Sequence, residues 1–466
     1  MVSWGKIELR HDTDYYLPRH YRLLRRIEAS GHPIMKLYEI SRHIVDGPFG
    51  SAIKADNYVE TGVPFIRVAD VTHGDGTLRT DNMIFISEDA HQTIKRSVAF
   101  PGDVVIAKTG ATMGAASVVP NEIQEANIRG DLALVGKLAS RNDADYLATY
   151  INTGIGYYLF WRLNSGSTRG RVVISNLKKF PVLWPDTATR DYIVKKMDEG
   201  RQQKNNRLAE ADALLASIDD YLLAELGITL PPEPQDTIEK RIKRVSFSEI
   251  QQRLDPNFFA RKYVDLTEAI SRRPFKLLRD VCNLSSEIWD QKSGFAENFP
   301  YLEISAIDRT TGQITEIAEI PFEEAPSRAR MVARPHDILV STTRPSRGAI
   351  TLVSEDHEPF IASTGFAVIR EVDDSLVDRK FLFHVLRSKI GLTQMEQRSS
   401  GGNYPAITAA ELKRLEIPLP NISMQLNIVQ EIERMKAAAL KLRREASAEL
   451  ERAKREIEAL LLGEAA

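Results

Sequence analysis

The chain repeats itself, and this constrains its fold more than any other feature. Pro101-Gly102-Asp103-Val104-Val105-Ile106 returns as Pro335-His336-Asp337-Ile338-Leu339-Val340, 234 positions on. Leu177-Lys178-Lys179-Phe180 returns as Leu412-Lys413-Arg414-Leu415, and Ile193-Val194 as Ile428-Val429, both at 235. Leu226-Gly227 returns as Leu462-Gly463 at 236. Pro33 and Pro274, each ahead of an apolar run, are 241 apart. Offsets this constant, in the same order, describe two diverged copies of one unit placed head to tail. The 466 residues are enough for two domains and their connections. Any binding device is therefore expected twice, with differences that report what each copy reads.

Within each copy the predicted elements follow one order. A helical lead-in is expected at 15–27 and again at 258–270. Short β-branched runs follow, at 63–71, 104–108 and 117–120 in the first copy and at 301–307, 338–342 and 350–354 in the second. Gly, Asp and Thr turns separate them, which predicts a twisted mixed sheet with a few helices. A polar loop comes next, 164–170 or 398–404. Each copy then takes an Ile174-Ser175 or Ile407-Thr408 step into an apolar strand closed by proline, at 180–185 and 415–420.

A long helix is predicted to close each copy. Leu208, Ala211, Leu215, Ile218 and Leu222 are spaced 3, 4, 3, 4; Ile428, Ile432, Met435, Ala439 and Leu442 are spaced 4, 3, 4, 3. After an extra step, Leu450, Ala453, Ile457 and Leu460 resume the pattern. This is the seam of a coiled coil, and about 38 residues at ~1.5 Å each make a rod of roughly 55–60 Å. Two seams in one chain can bury each other; the alternative is that each helix lies on its own module. Pro231-Pro232-Glu233-Pro234 stops the first helix. The expected fold class is α/β, mixed α+β, with antiparallel helices between two modules related by a pseudo-two-fold axis. The expected division is a lead-in at 1–35, a first module at 36–188, a central helix at 189–227 and a linker at 228–243. The second copy continues with a lead-in at 244–273, a module at 274–422 and a closing helix at 423–466.

Charge gives no global push toward a polyanion, since 62 basic residues face 64 acidic ones. A single cysteine, Cys282, excludes a disulfide framework and a multi-thiolate zinc site. The first residues lack the apolar core of a signal peptide, and no run approaches the ~18 apolar residues of a membrane span. A reducing cytoplasm and no membrane partner are expected. Gly110-Ala111-Thr112-Met113-Gly114 lacks the order of a phosphate-binding loop. Asp103 and Lys108 suggest part of a nuclease site, but the second copy keeps Asp337 and replaces the lysine with Thr342. Asp103 and Asp337 are expected to form a turn before a strand. No metal-ligand spacing and no catalytic residue are found.

Several stretches together resemble a known family: Asp46-Gly47-Pro48-Phe49-Gly50-Ser51, Gly62-Val63-Pro64-Phe65-Ile66-Arg67, Gly102-Asp103-Val104-Val105-Ile106 and Thr109-Gly110-Ala111-Thr112-Met113-Gly114. With the Ser-Gly-Ser and Ser-Ser-Gly-Gly loops, the proline-closed strands and the long helices, the chain resembles the specificity subunits of type I restriction–modification systems. The likeness runs from about residue 36 to 463. It implies a target-recognition domain in each module and a bipartite, asymmetric duplex-DNA target. It implies a helical spacer that docks two methyltransferase (modification) subunits, which nuclease/translocase (restriction) subunits can join. S-adenosylmethionine, ATP and Mg would then sit on those partners and none on this chain. The second copy departs from the pattern, carrying Asn283-Leu284-Ser285-Ser286-Glu287 where the first has Asp46-Gly47-Pro48-Phe49-Gly50. The other reading kept open is a protein-interaction scaffold with two adaptor modules and no role on DNA.

Base readout needs short polar and basic side chains on loops, with further ones on phosphates. Where the copies agree, as at Gly114 and Gly348, the residue is expected to be scaffold. Where matched loops differ, readout is expected. In the first module this selects Lys108, Thr109, Thr112, Ser167, Thr168, Arg169 and Arg171, with Lys54 and Arg67 as weaker candidates. In the second it selects Thr343, Arg344, Ser346, Arg347, Arg398, Ser399, Asn403 and Tyr404. Arg344 and Arg347 replace Gly110 and Met113, and one is expected on a base edge, the other on a phosphate. Leu208, Leu215, Ile218, Leu222, Ile432, Met435, Leu442 and Ile457 are assigned to the helical seam.

Overall fold

A computed structural model describes residues 18–48, 53, 55–71, 74–165, 170–230, 255–290 and 297–464. Lys54, Ser167, Thr168, Arg169 and most of the linker lie outside the described residues. By internal contacts the chain forms two compact units, Met1–Leu208 with Arg443–Ala466, and Ala209–Leu442. The boundaries fall inside both long helices and not at the proline-rich linker.

Each module carries an antiparallel sheet of the same strand order and a mixed sheet, the latter with five strands in the first module and four in the second among the described residues. In the first, an antiparallel sheet runs in the order His43–Asp46, Leu132–Gly136, Val104–Ala107, Ala116–Val118. In the second, the order is Cys282–Leu284, Phe366–Val372, Ile338–Ser341, Ile350–Leu352. A second, mixed sheet has one parallel pairing in each module, Val63–Ile66 with Ala126–Ile128 and Asn298–Leu302 with Phe360–Ser363. The expected runs at 63–71 and 301–307 are shorter as strands. Each turns into a helical turn, at Val68–Val71 and at Ile304–Ala306.

Alternation along the central strands builds two cores from one sheet. Val104 and Ile106 join the core under the helices, whereas Val105 and Ala107 join the core against the second sheet. Ile338 and Val340 separate from Leu339 in the same way. Both faces are covered, so these strands read as continuous apolar runs. The Asp turn before each strand is as expected. Asp103 accepts from the Phe100 amide at 2.9 Å and Asp337 from the Arg334 amide at 2.8 Å. Gly102 and His336 take the positive φ that this turn needs, +86° and +70°.

The prolines 241 apart do the same work. Pro33 accepts from the Trp184 amide at 2.8 Å, and Pro274 from the Leu419 amide at 2.9 Å. Each module is thereby closed by a short antiparallel pair, Ile34–Lys36 with Pro181–Leu183 and Phe275–Leu277 with Glu416–Pro418. A helix pair covers the antiparallel sheet, Arg141–Ile151 with Gly154–Arg162 and Arg379–Arg387 with Lys389–Arg398. A Cβ at Gly156 or Gly391 would collide with the carbonyl of Tyr150 or Leu386, so glycine is required at the same point of both pairs.

The long helices span Thr187–Glu225 and Ile422–Leu461. In the first unit they pair antiparallel: Lys196 meets Glu456 at 2.6 Å, and Arg207 meets Glu445 at 2.6 Å and Glu449 at 3.1 Å. Ile193 and Met197 share a core with Leu450, Ile457 and Leu461. Gly200 lets the backbones approach, because its Cβ would sit 2.8 Å from that of Ala453. In the second unit Leu222, Leu223 and Leu226 share a core with Ile428, Val429 and Ile432, with Ile218 packed against it. Met435 is buried; Leu208, Leu215 and Leu442 are half-buried. Buried Ala446 fills the extra step of four that the spacing left between Leu442 and Leu450. The lead-ins are helical at Pro18–Ala29 and Arg261–Ser271, the second preceded by a 3₁₀ turn at Pro256–Phe259.

Candidate nucleic-acid interface

The two polar loops that the copies do not share are adjacent in each module. In the first, the Val172 amide donates to the Lys108 carbonyl at 2.9 Å and the Gly110 amide to the Gly170 carbonyl at 3.1 Å. In the second, the Ile407 amide donates to the Thr342 carbonyl at 2.9 Å and the Arg344 amide to the Pro405 carbonyl at 2.7 Å. These are the same two bonds shifted by 234 or 235 residues. They tie the loop after the central strand to the loop after the second covering helix. Each pair of loops leaves the end of a sheet packed on both faces, a rigid base for groups that must reach outward.

In the second module the outer loop is a closed finger. Ser400 and Ala406 exchange two backbone hydrogen bonds, at 2.9 and 2.8 Å, and Gly401 turns the tip at φ +109°. Residues 400–404 are all exposed, and Tyr404 is 71% exposed. In the first module the Ser165 amide donates to the Arg171 carbonyl at 2.9 Å, and the Arg171 amide to Asn164 Oδ1 at 2.8 Å. The finger closes there in another way.

The expected site residues divide by where their side chains go. Arg347 and Ser346 are exposed, as are Asn403, Thr112 and Arg171. No hydrogen bond or ion pair from the guanidinium of Arg347 is present among the described residues. Arg344 is half-buried: its guanidinium lies 4.2 Å from the Tyr404 ring centroid and donates to the Asn403 carbonyl at 2.7 Å. Its backbone is left-handed, φ +48° and ψ +51°, at the position where Gly110 has φ +83°. A non-glycine residue held there costs on the order of 1–3 kcal/mol. Thr343 and Ser399 are half-buried; Thr343 accepts from Ser341 Oγ through its carbonyl, and Ser399 Oγ donates to the Met395 carbonyl. Thr109 Oγ1 is 3.3 Å from Asp131 Oδ1.

Three of the expected contacts are turned into the fold. Lys108 is 2% exposed, with Nζ 3.7 Å from Asp46 Oδ2. Position 108 continues the inward face of Val104 and Ile106, so its stem is swallowed by the core. Burial holds its pKa below the usual lysine range, against the attraction of Asp46. Arg398 has a side chain 10% exposed, bonded to Glu411 Oε2 at 3.3 Å and packed over Phe258. Burial likewise lowers its pKa, and it braces the base of the finger. Arg67 is committed to Asp70 at 3.0 Å and to the Asn82 carbonyl at 2.8 Å.

The Arg344–Tyr404 contact was not legible as a pair. Its one signal was the replacement of a turn glycine, Gly110, by arginine in a loop otherwise kept in register. Two cavities lie away from these loops. One of about 490 Å³ in the first unit is lined by His43, His91 and Asp103; one of about 340 Å³ in the second is lined by Lys380, Phe383 and Glu433. Among the described residues no group of three or more His, Cys, Asp or Glu is placed to hold a metal ion. Nor is any of their helices long and apolar enough to cross a membrane.

Residues 275–452 match the family model described as the type I restriction modification DNA specificity domain. The chain is 30% identical over 109 residues to the type I restriction enzyme HindI specificity subunit of Haemophilus influenzae, a match covering 23% of this chain and 24% of that relative. Among solved structures, it is similar to the HsdS subunit from Thermoanaerobacter tengcongensis, with TM-score 0.39, 16% identity and 93% and 97% of the two chains covered. It is similar also to a chain from a study of complex assembly and conformational transition of the type I R-M system, with TM-score 0.48, 16% identity and 92% and 96% covered.

Proposed function

We propose that this chain, whose second module matches the type I restriction modification DNA specificity domain, is a specificity subunit that selects the DNA target of a modification complex. One observation carries the reading: the same two-loop clasp is built twice on rigid sheets, with different exposed polar or basic residues, Thr112 and Arg171 in the first module and Ser346, Arg347, Asn403 and Tyr404 in the second. Two unequal readers on one chain suit a bipartite, asymmetric duplex target. Arg347, Ser346, Asn403 and Tyr404 would meet one half-site, and Thr112 and Arg171 the other, with Lys54 and 167–169 as further candidates. Near-neutral overall charge then makes these local groups, and not a global field, the source of phosphate contact.

The chain itself would catalyse nothing. Two methyltransferase subunits would dock on the long helices and bring S-adenosylmethionine and the pocket for a flipped adenine. Nuclease/translocase subunits, where they join, would bring ATP and Mg. Such a complex works in the cytoplasm. Mapping methylated adenines genome-wide in cells with and without the chain tests this: a bipartite motif should vanish with the chain. Unchanged methylation, together with no salt-dependent duplex binding by the chain and its methyltransferase subunits, leaves the scaffold reading instead.

A further inference from the structure

Arg344 and Arg347 are three residues apart on one loop, yet their environments are opposite. Arg347 points to solvent with no guanidinium partner among the described residues. Arg344 spends its guanidinium within the protein, on the Tyr404 ring at 4.2 Å and the Asn403 carbonyl at 2.7 Å. Its amide is used as well, on the Pro405 carbonyl at 2.7 Å. All three partners belong to the finger that Ser400 and Ala406 close. The equivalent residue in the first module, Gly110, makes the same backbone bond and has no side chain to add. The backbone bond alone therefore suffices to dock the loops. The arginine, kept in a left-handed conformation that glycine adopts without strain, has another use.

We propose that Arg344 is a positioning residue that holds the Asn403-Tyr404 fingertip in its DNA-reading geometry, and that Arg347 is the arginine of this loop that contacts DNA. One face of the Tyr404 ring is covered by the guanidinium, and the residue, 71% exposed as a whole, is presented outward on a tip that is otherwise glycine-rich. Stacking on a planar cation orients an aromatic ring that the neighbouring Gly401-Gly402 would leave free to swing. A fingertip ordered before DNA arrives loses less conformational freedom on binding, and discriminates by shape as well as by charge. The inference rests on the reading of this clasp as a DNA interface.

The test uses the full chain, alone and with its methyltransferase subunits, as Arg344→Gly, Arg344→Lys, Arg347→Ala and Tyr404→Ala. Arg344→Gly folds because Gly110 holds the same backbone at φ +83°, and thermal unfolding should show no loss of stability. Hydrogen exchange of the 398–407 peptide in the free chain should become faster in Arg344→Gly and in Arg344→Lys, because lysine keeps the charge but not the planar stack. Discrimination in the half-site read by the second module should fall by about tenfold in both and in Tyr404→Ala. The salt slope of duplex binding should be unchanged by both Arg344 variants, and should drop by about one in Arg347→Ala. Unchanged exchange in Arg344→Gly overturns the positioning role whatever happens on DNA. A salt slope lowered by about one in Arg344→Gly and restored in Arg344→Lys overturns it too, making Arg344 a phosphate contact while the interface stands. If exchange speeds up but no variant alters binding or methylation, the interface reading fails, and this proposal with it.

Discussion

Single residues tie the long helices to the first module by chemistry that the duplication does not announce. Asp75 accepts from Thr77 Oγ1 at 2.6 Å and from Lys204 Nζ, on the first long helix, at 2.9 Å. Burial alone would raise its pKa, but these hydrogen bonds prevail and hold it at about 2, against an ordinary 3.8. A folded-state pKa below the unfolded one gives stability that is present above the unfolded value and lost as pH falls through the folded value. Asp75→Asn should therefore cost on the order of 2 kcal/mol at neutral pH, with the deficit fading from about pH 5 to about pH 2. Urea unfolding of both proteins across that range checks it; a deficit independent of pH would assign the loss to packing. Gly200 is the second such residue. With its would-be Cβ 2.8 Å from Ala453, Gly200→Leu should overpack the helix contact and cost about 1–3 kcal/mol. A midpoint equal to that of the unaltered chain would mean the helices separate there without penalty. Glu458, whose carboxylate takes the Gly154 amide at 2.5 Å, ties the closing helix to the same module.

At the scale of elements, the seam was readable and its closeness was not. The 3–4 spacing of Ile428, Ile432, Met435 and Ala439 marks residues that are buried. Spacing says nothing of which helix supplies the other wall, nor that ion pairs such as Arg207 with Glu445 line the antiparallel contact. If paired helices set the gap between half-sites, a heptad inserted in each should lengthen the preferred DNA spacer and leave both half-sites recognised. Four residues inserted in only one should shift the seam and lower methylation at every spacer length. Methylation of a library of targets with graded spacers distinguishes these outcomes, and an unchanged spacer preference after matched insertion would remove the helices from that role. The loop clasp is an element of the same kind. The sequence pointed to both loops of each module, because each departs from its counterpart. That they are hydrogen-bonded neighbours follows only from strands that bring residues 342 and 407 together.

For the whole molecule, the repeated topology predicts independent readers. Each module has its own paired sheets and its own closing strand pair. Grafting residues 36–185 from a related chain should replace one half-site and leave the other as it was. Methylome mapping of the chimera reads this directly, and a simultaneous change in both half-sites would mean that the modules do not read separately. The compact units qualify where a graft should end. Residues 443–466 belong with the first unit, so an exchange that carries this end along should keep pairs such as Lys196 with Glu456 intact.

The sequence by itself determined the duplication, and with it the order of elements, the Asp103 and Asp337 turns, the proline-closed strands and the helical seam. Those features are local: a repeat offset, a period or a turn residue carries each one. It also pointed to four loops as the main candidates for an interface, with Lys54 and Arg67 as weaker ones, since divergence between copies is visible without a structure. Only the tertiary structure decided which side chains of those loops are available. Lys108, Arg398 and Arg347 are all cations on matched loops, but Lys108 follows an inward strand face to Asp46 and Arg398 turns to Glu411. Arg347 alone of the three remains outside, although its counterpart Met113 is buried at 1% exposure. Arg344 finds Tyr404 sixty residues away. Exposure and pairing depend on segments that meet only when the sheets and helices have packed, and no local pattern carries that information.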